Sequence, residues 1–322
     1  MPVILLTNKY SKKVLNVVRN ELPKRFDFIS LDKLNKDELL EKASLADYFL
    51  ASGRLSIDKE IIEAARKLKM IQRTGVGTDT LDLDTLKSKN IPVYVNTGVN
   101  SFSVAEHTIL LMLSVLRRLH IVDTGLKAGI WQKNDIGIEN RSLNNKTIGL
   151  IGLGNIGKHV AKILEPFGGE ISYFDLNRLN KKEEQKLNIK YFEFENILKQ
   201  ADILSLHCPL TNKTKGLIGK KELSIMKSGS YIINTARGAL INEEALVAAM
   251  QSGHIRGAGL DVFCEEPLEK GNPLLSLNNI VLTPHIGGLT LETFSKMVRD
   301  AFNNIRLFDI GRYDLIDNKK LQ

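Results

Sequence analysis

Short apolar runs in the second half of the chain each end in a side chain able to do chemistry. Tyr231-Ile232-Ile233 runs into Asn234-Thr235-Ala236-Arg237-Gly238. Ala258-Gly259-Leu260 runs into Asp261 with Glu266 shortly after, and Ile280-Val281-Leu282 runs into Thr283-Pro284-His285. An arginine can hold a carboxylate through two parallel hydrogen bonds and polarise a carbonyl beside it. A histidine titrating near neutrality can give a proton to a carbonyl oxygen or take it back. A glutamate paired with that histidine stabilises the imidazolium. Each residue alone has an ordinary reading: Arg237 as a salt-bridge partner, His285 as a satisfied core histidine, Glu266 as the cap of a turn. What raises them together is their shared place, at the carboxyl ends of strands in one sheet, where ligands of open α/β sheets bind.

The same edge carries a glycine turn. Ile148 to Ile151 reads as a buried strand, Gly152-x-Gly154-x-x-Gly157 follows at once, and Lys158 to Leu164 reads as a helix. In that context Gly152 makes the tight turn, Gly154 lets backbone approach a pyrophosphate, and Gly157 lets helix and strand pack closely. The helix N-terminus offers unpaired amides to the phosphates. A second apolar strand, Ile171 to Phe174, ends in Asp175. A carboxylate there accepts from the ribose hydroxyls and repels a 2′-phosphate, so NAD is expected over NADP. Arg178, three residues on, is read as a surface side chain, although it is near enough to soften that repulsion. Beside a nicotinamide, the arginine would clamp a 2-oxo acid and the histidine would move the proton that accompanies hydride transfer, with Asp261 facing the cofactor.

The elements that must position these groups alternate. Strands are expected at 3–7, 25–31, 48–51, 70–72 and 91–95, with helices at 11–20, 35–44, 58–69 and 82–89 between them. Repeated βα units predict parallel sheets covered by helices. Ser103-x-x-Glu106 reads as a capping box opening a long apolar helix to Leu119, buried between domains or subunits. Leu126 to Asn145, with the only tryptophan, Trp131, reads as turns, and Leu179 to Asn188 as a charged connection. Residues 242–252 are expected to form a helix stopped by Gly253, and a last helix starts near Leu291.

At 322 residues the chain fits two domains, and 43% apolar with 25% charged residues describes a globular protein. The net charge of +8 comes from lysines and arginines scattered along the chain, a solvated surface rather than a nucleic-acid face. Cys208 and Cys264 form no CxxC, and the six histidines lack metal-ligand spacing, so no metal is expected and a reducing cytoplasm is. The apolar start, Met1 to Thr7, is too short for a signal peptide, and charges interrupt the long helix, so no membrane span is expected.

Taken together, the chain resembles the D-isomer-specific 2-hydroxyacid dehydrogenases. The matching stretches are Gly152 to Gly157, Asn234 to Gly238, Gly259 to Pro267, Thr283 to Gly288, Arg73 to Asp79 and Asn96 to Glu106. The resemblance implies Arg237, Glu266 and His285 as a catalytic trio. It implies cofactor contacts at Asn155, Ile156, Asp175, Cys208, Thr235, Ala236, Arg237, Asp261 and His285, beside Gly152, Gly154 and Gly157. It places Ser52, Gly53, Gly75 and Val76, with Arg237, at the substrate. The implied fold is α/β with two Rossmann-like domains. An NAD-binding domain at 101–290, a doubly wound parallel sheet, is inserted into a flavodoxin-like substrate domain of 1–100 and 291–322, with a cleft that closes on hinges at the joins. A homodimer through the helix after Ser103 is implied as well.

The pattern leaves the substrate open between 3-phosphoglycerate and the glyoxylate/hydroxypyruvate type. Phosphoglycerate-specific relatives tend to carry arginine where this chain has Ser52, though Arg54 is close, and the regulatory domain that follows in some of them is not expected here. The alternative to an NAD-dependent enzyme is an NAD(H)-sensing binding protein of the corepressor type. The complete trio favours the enzyme.

Overall fold

Strands near the start of the chain are short and apolar enough to be buried on both faces, the composition of a parallel sheet. The computed structural model describes residues 1–321. Its first compact unit comprises residues 1–100 with the segment from Leu289 onward, and its second is Ser101–Gly288.

In the first unit β1 (Val3–Lys9), β2 (Asp27–Leu31), β3 (Tyr48–Ala51), β4 (Met70–Arg73) and β5 (Val93–Tyr94) form one sheet in the order β2-β1-β3-β4-β5. Every pairing is parallel. The order is that of flavodoxin-like sheets, and it reverses between β1 and β3, where the carboxyl ends of strands open a crevice. The final long helix, Leu291–Asp309, returns to this sheet. Its Val298, Phe302 and Ile305 join Leu6, Tyr48 and Leu50 in one core. Beneath them runs a buried polar chain: Asn304 Nδ2 donates to Gln72 Oε1 (3.0 Å), and Gln72 Nε2 donates to the Arg73 carbonyl (2.9 Å). Asn96 Nδ2 donates to the Met297 carbonyl (2.9 Å). Buried amides of this kind tolerate few alternative packings, because a displaced one loses its partner without regaining water.

The second unit holds β6 (Thr147–Ile151), β7 (Glu170–Phe174), β8 (Ile189–Tyr191), β9 (Ile203–Leu206), β10 (Ser230–Asn234), β11 (Ile255–Leu260) and β12 (Ile280–Leu282). Their order is β12-β11-β10-β9-β6-β7-β8, all parallel. This is a dinucleotide-binding order extended by one edge strand, and its reversal lies between β6 and β9. The helix Ser101–Leu116 packs on the helix Asn155–Leu164 and on β11 within the unit.

Several local expectations change. The long helix begins at Ser101, so Ser103 lies in its first turn and is not an N-cap; the serine–glutamate spacing is equally that of two helical residues one turn apart. The segment read as turns around Trp131 takes in the end of one helix, Leu119–Lys127, and the whole of another, Lys133–Glu139, neither of which has a fully buried side chain and so neither gives a core-facing stripe. The lysine-rich connection folds as the helix Lys181–Lys186, capped by the Asn180 side chain, followed by β8. The helix expected over 58–69 stops at Ala64, and a turn from Leu68 N to Ala65 O (3.0 Å) buries Leu68 instead. Among the described residues no helix is long and apolar enough to cross a membrane.

Candidate active site

At the reversal point of the second sheet, the turn after β6 is pressed against the end of β9. Gly152 has φ +95°, and a Cβ there would meet Cys208 N and His207 C at 2.7 Å. At Gly157 a Cβ would meet the Gly152 carbonyl oxygen at 2.4 Å. Both positions therefore need glycine for close approach. Gly154 differs: it is the N-cap of the helix Asn155–Leu164, makes no side-chain cap, and has open space over its Cβ position. The first amides of that helix thus lie beside open space at its positive end, the arrangement that receives a pyrophosphate. Asp175, one strand over, takes the Leu153 amide on Oδ2 (2.7 Å) and the Asn177 amide on Oδ1 (2.8 Å). These bonds fix the carboxylate at the turn while each oxygen keeps a lone pair for a ribose hydroxyl. Arg178 is turned elsewhere, with Nε on Glu184 Oε1 (2.9 Å), Nη2 on Oε2 (3.3 Å) and its guanidinium 4.6 Å from the Tyr191 ring centre. Burial pushes the Cys208 thiol up to about 11, so its sulfur stays protonated at neutral pH.

The next edge carries the acid–base groups. His285 Nδ1 lies 2.7 Å from Glu266 Oε2. A carboxylate only accepts, so Nδ1 carries the proton and Nε2 is the nitrogen left to exchange one. Glu266 is itself held, its Oε1 accepting the Phe263 amide at 3.1 Å. The His285 side chain is 41% exposed and that of Glu266 21%, which leaves the imidazole reachable while its partner is sheltered. His285 sits at φ +56°, in the left-handed region that a non-glycine residue occupies only where its surroundings hold it. Asp261 is 2% exposed and binds that turn: Oδ1 accepts from Thr283 Oγ1 (2.6 Å) and the Ile286 amide (2.9 Å), and Oδ2 from the Gly287 amide (2.8 Å). Burial raises the Asp261 carboxyl, but these donors together with His107 outweigh it and hold it below the usual carboxylate range.

Arg237 follows β10 with its Nη1 on the Ala236 carbonyl at 2.7 Å. In the first unit, Ser52 stands at the reversal between β1 and β3. Its amide donates to Thr7 Oγ1 (3.1 Å) and its hydroxyl to the Thr7 carbonyl (3.4 Å). Below it, the buried Arg73 donates to the Ser52 carbonyl at 2.8 Å. Gly75 and Val76 follow β4, with Val76 54% exposed and open space over the Gly75 Cβ position. Among the described residues no group of three or more His, Cys, Asp and Glu side chains stands close enough to hold a metal ion.

Comparison with known proteins adds the lineage. Residues 109–287 match the model of the D-isomer specific 2-hydroxyacid dehydrogenase NAD binding domain. The chain belongs to this family. It is 38% identical over 278 residues to the glyoxylate reductase of Thermococcus litoralis, covering 85% of this chain and 83% of that one. It is 34% identical over 313 residues to the D-3-phosphoglycerate dehydrogenase of Mycobacterium leprae, covering 97% of this chain but 58% of that protein's length. A solved D-lactate dehydrogenase from Aquifex aeolicus, complexed with NAD and lactic acid, superposes with a TM-score of 0.86 at 27% identity, covering 99% of this chain and 98% of that one.

For this 2-hydroxyacid dehydrogenase family member, sequence reading passed over residues that hold the named ones. Asn234, 1% exposed, accepts the Ala236 amide on Oδ1 (3.0 Å) and donates through Nδ2 to the Arg237 carbonyl (2.8 Å), which shapes the turn that aims Arg237. The signals in the sequence were its polarity at the end of an apolar run and its place at the head of the matching stretch Asn234 to Gly238. Thr235 turns its hydroxyl to Thr108 Oγ1 (2.9 Å). Thr108 gives its own proton to the Val104 carbonyl (2.7 Å), so Thr235 is the donor.

Proposed function

We propose that the chain is an NAD-dependent dehydrogenase that interconverts a 2-oxo acid and the corresponding D-2-hydroxy acid. The observation that carries the reading is the His285–Glu266 pair, which leaves Nε2 as the exchanging nitrogen at the sheet edge that also bears Arg237 and the glycine turn. NAD, when bound, supplies or accepts the hydride. Gly152, Gly154, Asn155, Ile156 and Gly157 hold its pyrophosphate, Asp175 its ribose, and Cys208, Thr235, Ala236, Asp261 and His285 flank the remainder. Arg237 clamps the substrate carboxylate and polarises the carbonyl. His285 gives its Nε2 proton to the carbonyl oxygen during reduction and takes it back in oxidation, while Glu266 holds the ring and its charge. Ser52, Gly53, Gly75 and Val76 of the first unit receive the carboxylate end of the acid, which makes residues 1–100 with 291–322 the substrate domain and 101–290 the NAD domain.

The substrate is a short acid of the glyoxylate/hydroxypyruvate or 3-phosphoglycerate type. NADH oxidation against glyoxylate, hydroxypyruvate, pyruvate and phosphohydroxypyruvate tests this. Turnover of one of them is the expected result, and tight NADH binding without turnover on any sinks the proposal.

Because Asp175 is fixed by two amides and Arg178 is engaged by Glu184, discrimination against NADPH rests on one carboxylate. Asp175→Ser is expected to reduce the NADH-over-NADPH ratio of kcat/KM by about 10- to 100-fold, the worth of a charge-assisted hydrogen bond. A ratio that stays put would move the selectivity elsewhere.

The working form is a homodimer, and the free thiols of Cys208 and Cys264 suit a reducing cytoplasm. Support for the dimer is the exposed apolar side chains around the helix after Ser103: Phe102 and Leu110 on it, then Leu126 and Ile138 (78%) on the two short helices that follow and Trp131 (78%) in the loop between them. Apolar surface gathered in this way marks an association face. Trp131→Glu should give a monomer in sedimentation equilibrium at concentrations where the parent chain is dimeric. An unchanged mass would move the interface off this face.

A further inference from the structure

Behind His285 runs a polar chain that the acid–base pair does not use. Asp261 grips the turn through the amides of Ile286 and Gly287, and Thr283 Oγ1 donates to the same carboxylate from the other side of His285. His107, on the helix Ser101–Leu116, places Nε2 2.9 Å from Thr283 Oγ1 and 3.4 Å from Asp261 Oδ1. A threonine hydroxyl has one proton, and here the carboxylate takes it. Its oxygen can then only accept from His107, so Nε2 carries a proton whatever the charge of the ring. The packing leaves no slack: a Cβ on Gly287 would meet Asp261 Oδ2 at 2.9 Å and His107 Cδ2 at 3.3 Å.

We propose that His107 is a positioning residue, whose Nε2–H closes the Thr283–Asp261 chain that holds the His285 turn in its left-handed conformation. The helix Ser101–Leu116 thereby sets the aim of the acid–base histidine. This rests on the role proposed above for His285. The His107 side chain is 11% exposed and turned to Thr283 and Asp261. Its removal withdraws one donor from the half-buried Thr283 hydroxyl and the buried Asp261 carboxylate, a donor the chain replaces only by letting the turn move.

The first test reads no turnover. Amide exchange of Ile286 and Gly287 is measured in the full chain for the parent, His107→Leu, His107→Gln and Thr283→Val. His107→Leu and Thr283→Val, which break the chain at different links, should speed exchange by about tenfold or more, as local opening becomes easier. His107→Gln, which offers an amide N–H from nearly the same place, should stay within about threefold of the parent. Parent-like exchange in His107→Leu overturns the proposal, and if that variant does not fold, parent-like exchange in Thr283→Val does so. These outcomes stand even if the protein reduces no oxo acid, a result that would sink the proposed function alone. In turnover, His107→Leu should lower kcat by about 10- to 100-fold with KM held within about twofold, the cost of a misaimed group. The same substitution made in His285→Ala should add nothing. A further fall there would show general loss of structure and overturn the proposal.

Discussion

Replacing His285 by alanine lowers kcat by about 10²–10⁴-fold while NADH affinity stays close to that of the parent, the range expected when a positioned acid–base group is lost. Glu266 holds the Nδ1 proton of His285, so the imidazole meets the substrate with a defined tautomer. With alanine there, water must supply the proton, from no fixed position. The expected signature is a fall in kcat and kcat/KM together, since the interaction is made in the transition state and not on binding. NADH affinity, read from quenching or transfer of protein fluorescence, separates this from damage to the cofactor site. Parent-like turnover would remove His285 from its role and return it to the ordinary reading of a histidine tucked beside a carboxylate.

That ordinary reading shows where sequence and structure part. The βα alternation and the glycine turn were legible because periodicity and chain order are local: a strand that ends in Gly152-x-Gly154-x-x-Gly157 has few folds open to it. The strand-end placement of Arg237, Glu266 and His285 was legible for a related reason, since each follows an apolar run that reads as a strand of one sheet. The residues that hold the trio were not. Asn234 and Thr283 act through hydrogen bonds across a turn, and His107 acts from a helix 176 residues away in sequence from the hydroxyl it binds. No pattern within a window reveals such a pairing. Ser103 misled in the opposite direction, because a capping box and two helical residues one turn apart share the same spacing. Asp261 lay between these cases: its place at a strand end marked it, but only the folded chain turns both of its oxygens to the His285 loop and buries its side chain.

Arg237→Ala is expected to lower kcat/KM for the oxo acid by about 10²–10³-fold, and, unlike the His285 change, to divide the loss between KM and kcat. The division follows from two tasks in one side chain. The carboxylate of the acid is present in both ground and transition states, so losing its clamp raises KM. The carbonyl oxygen gains charge only as reduction proceeds, so losing the cation beside it lowers kcat. Arg237→Lys separates the two tasks. A lysine keeps the charge but not the planar fork, and Asn234 holds the Arg237 carbonyl, so the backbone of the turn should keep its shape in either variant. The lysine variant should therefore recover more of kcat than of KM. Loss confined to NADH affinity in both variants would make Arg237 a cofactor residue. Full recovery of KM by lysine would show that the fork is not what holds the acid.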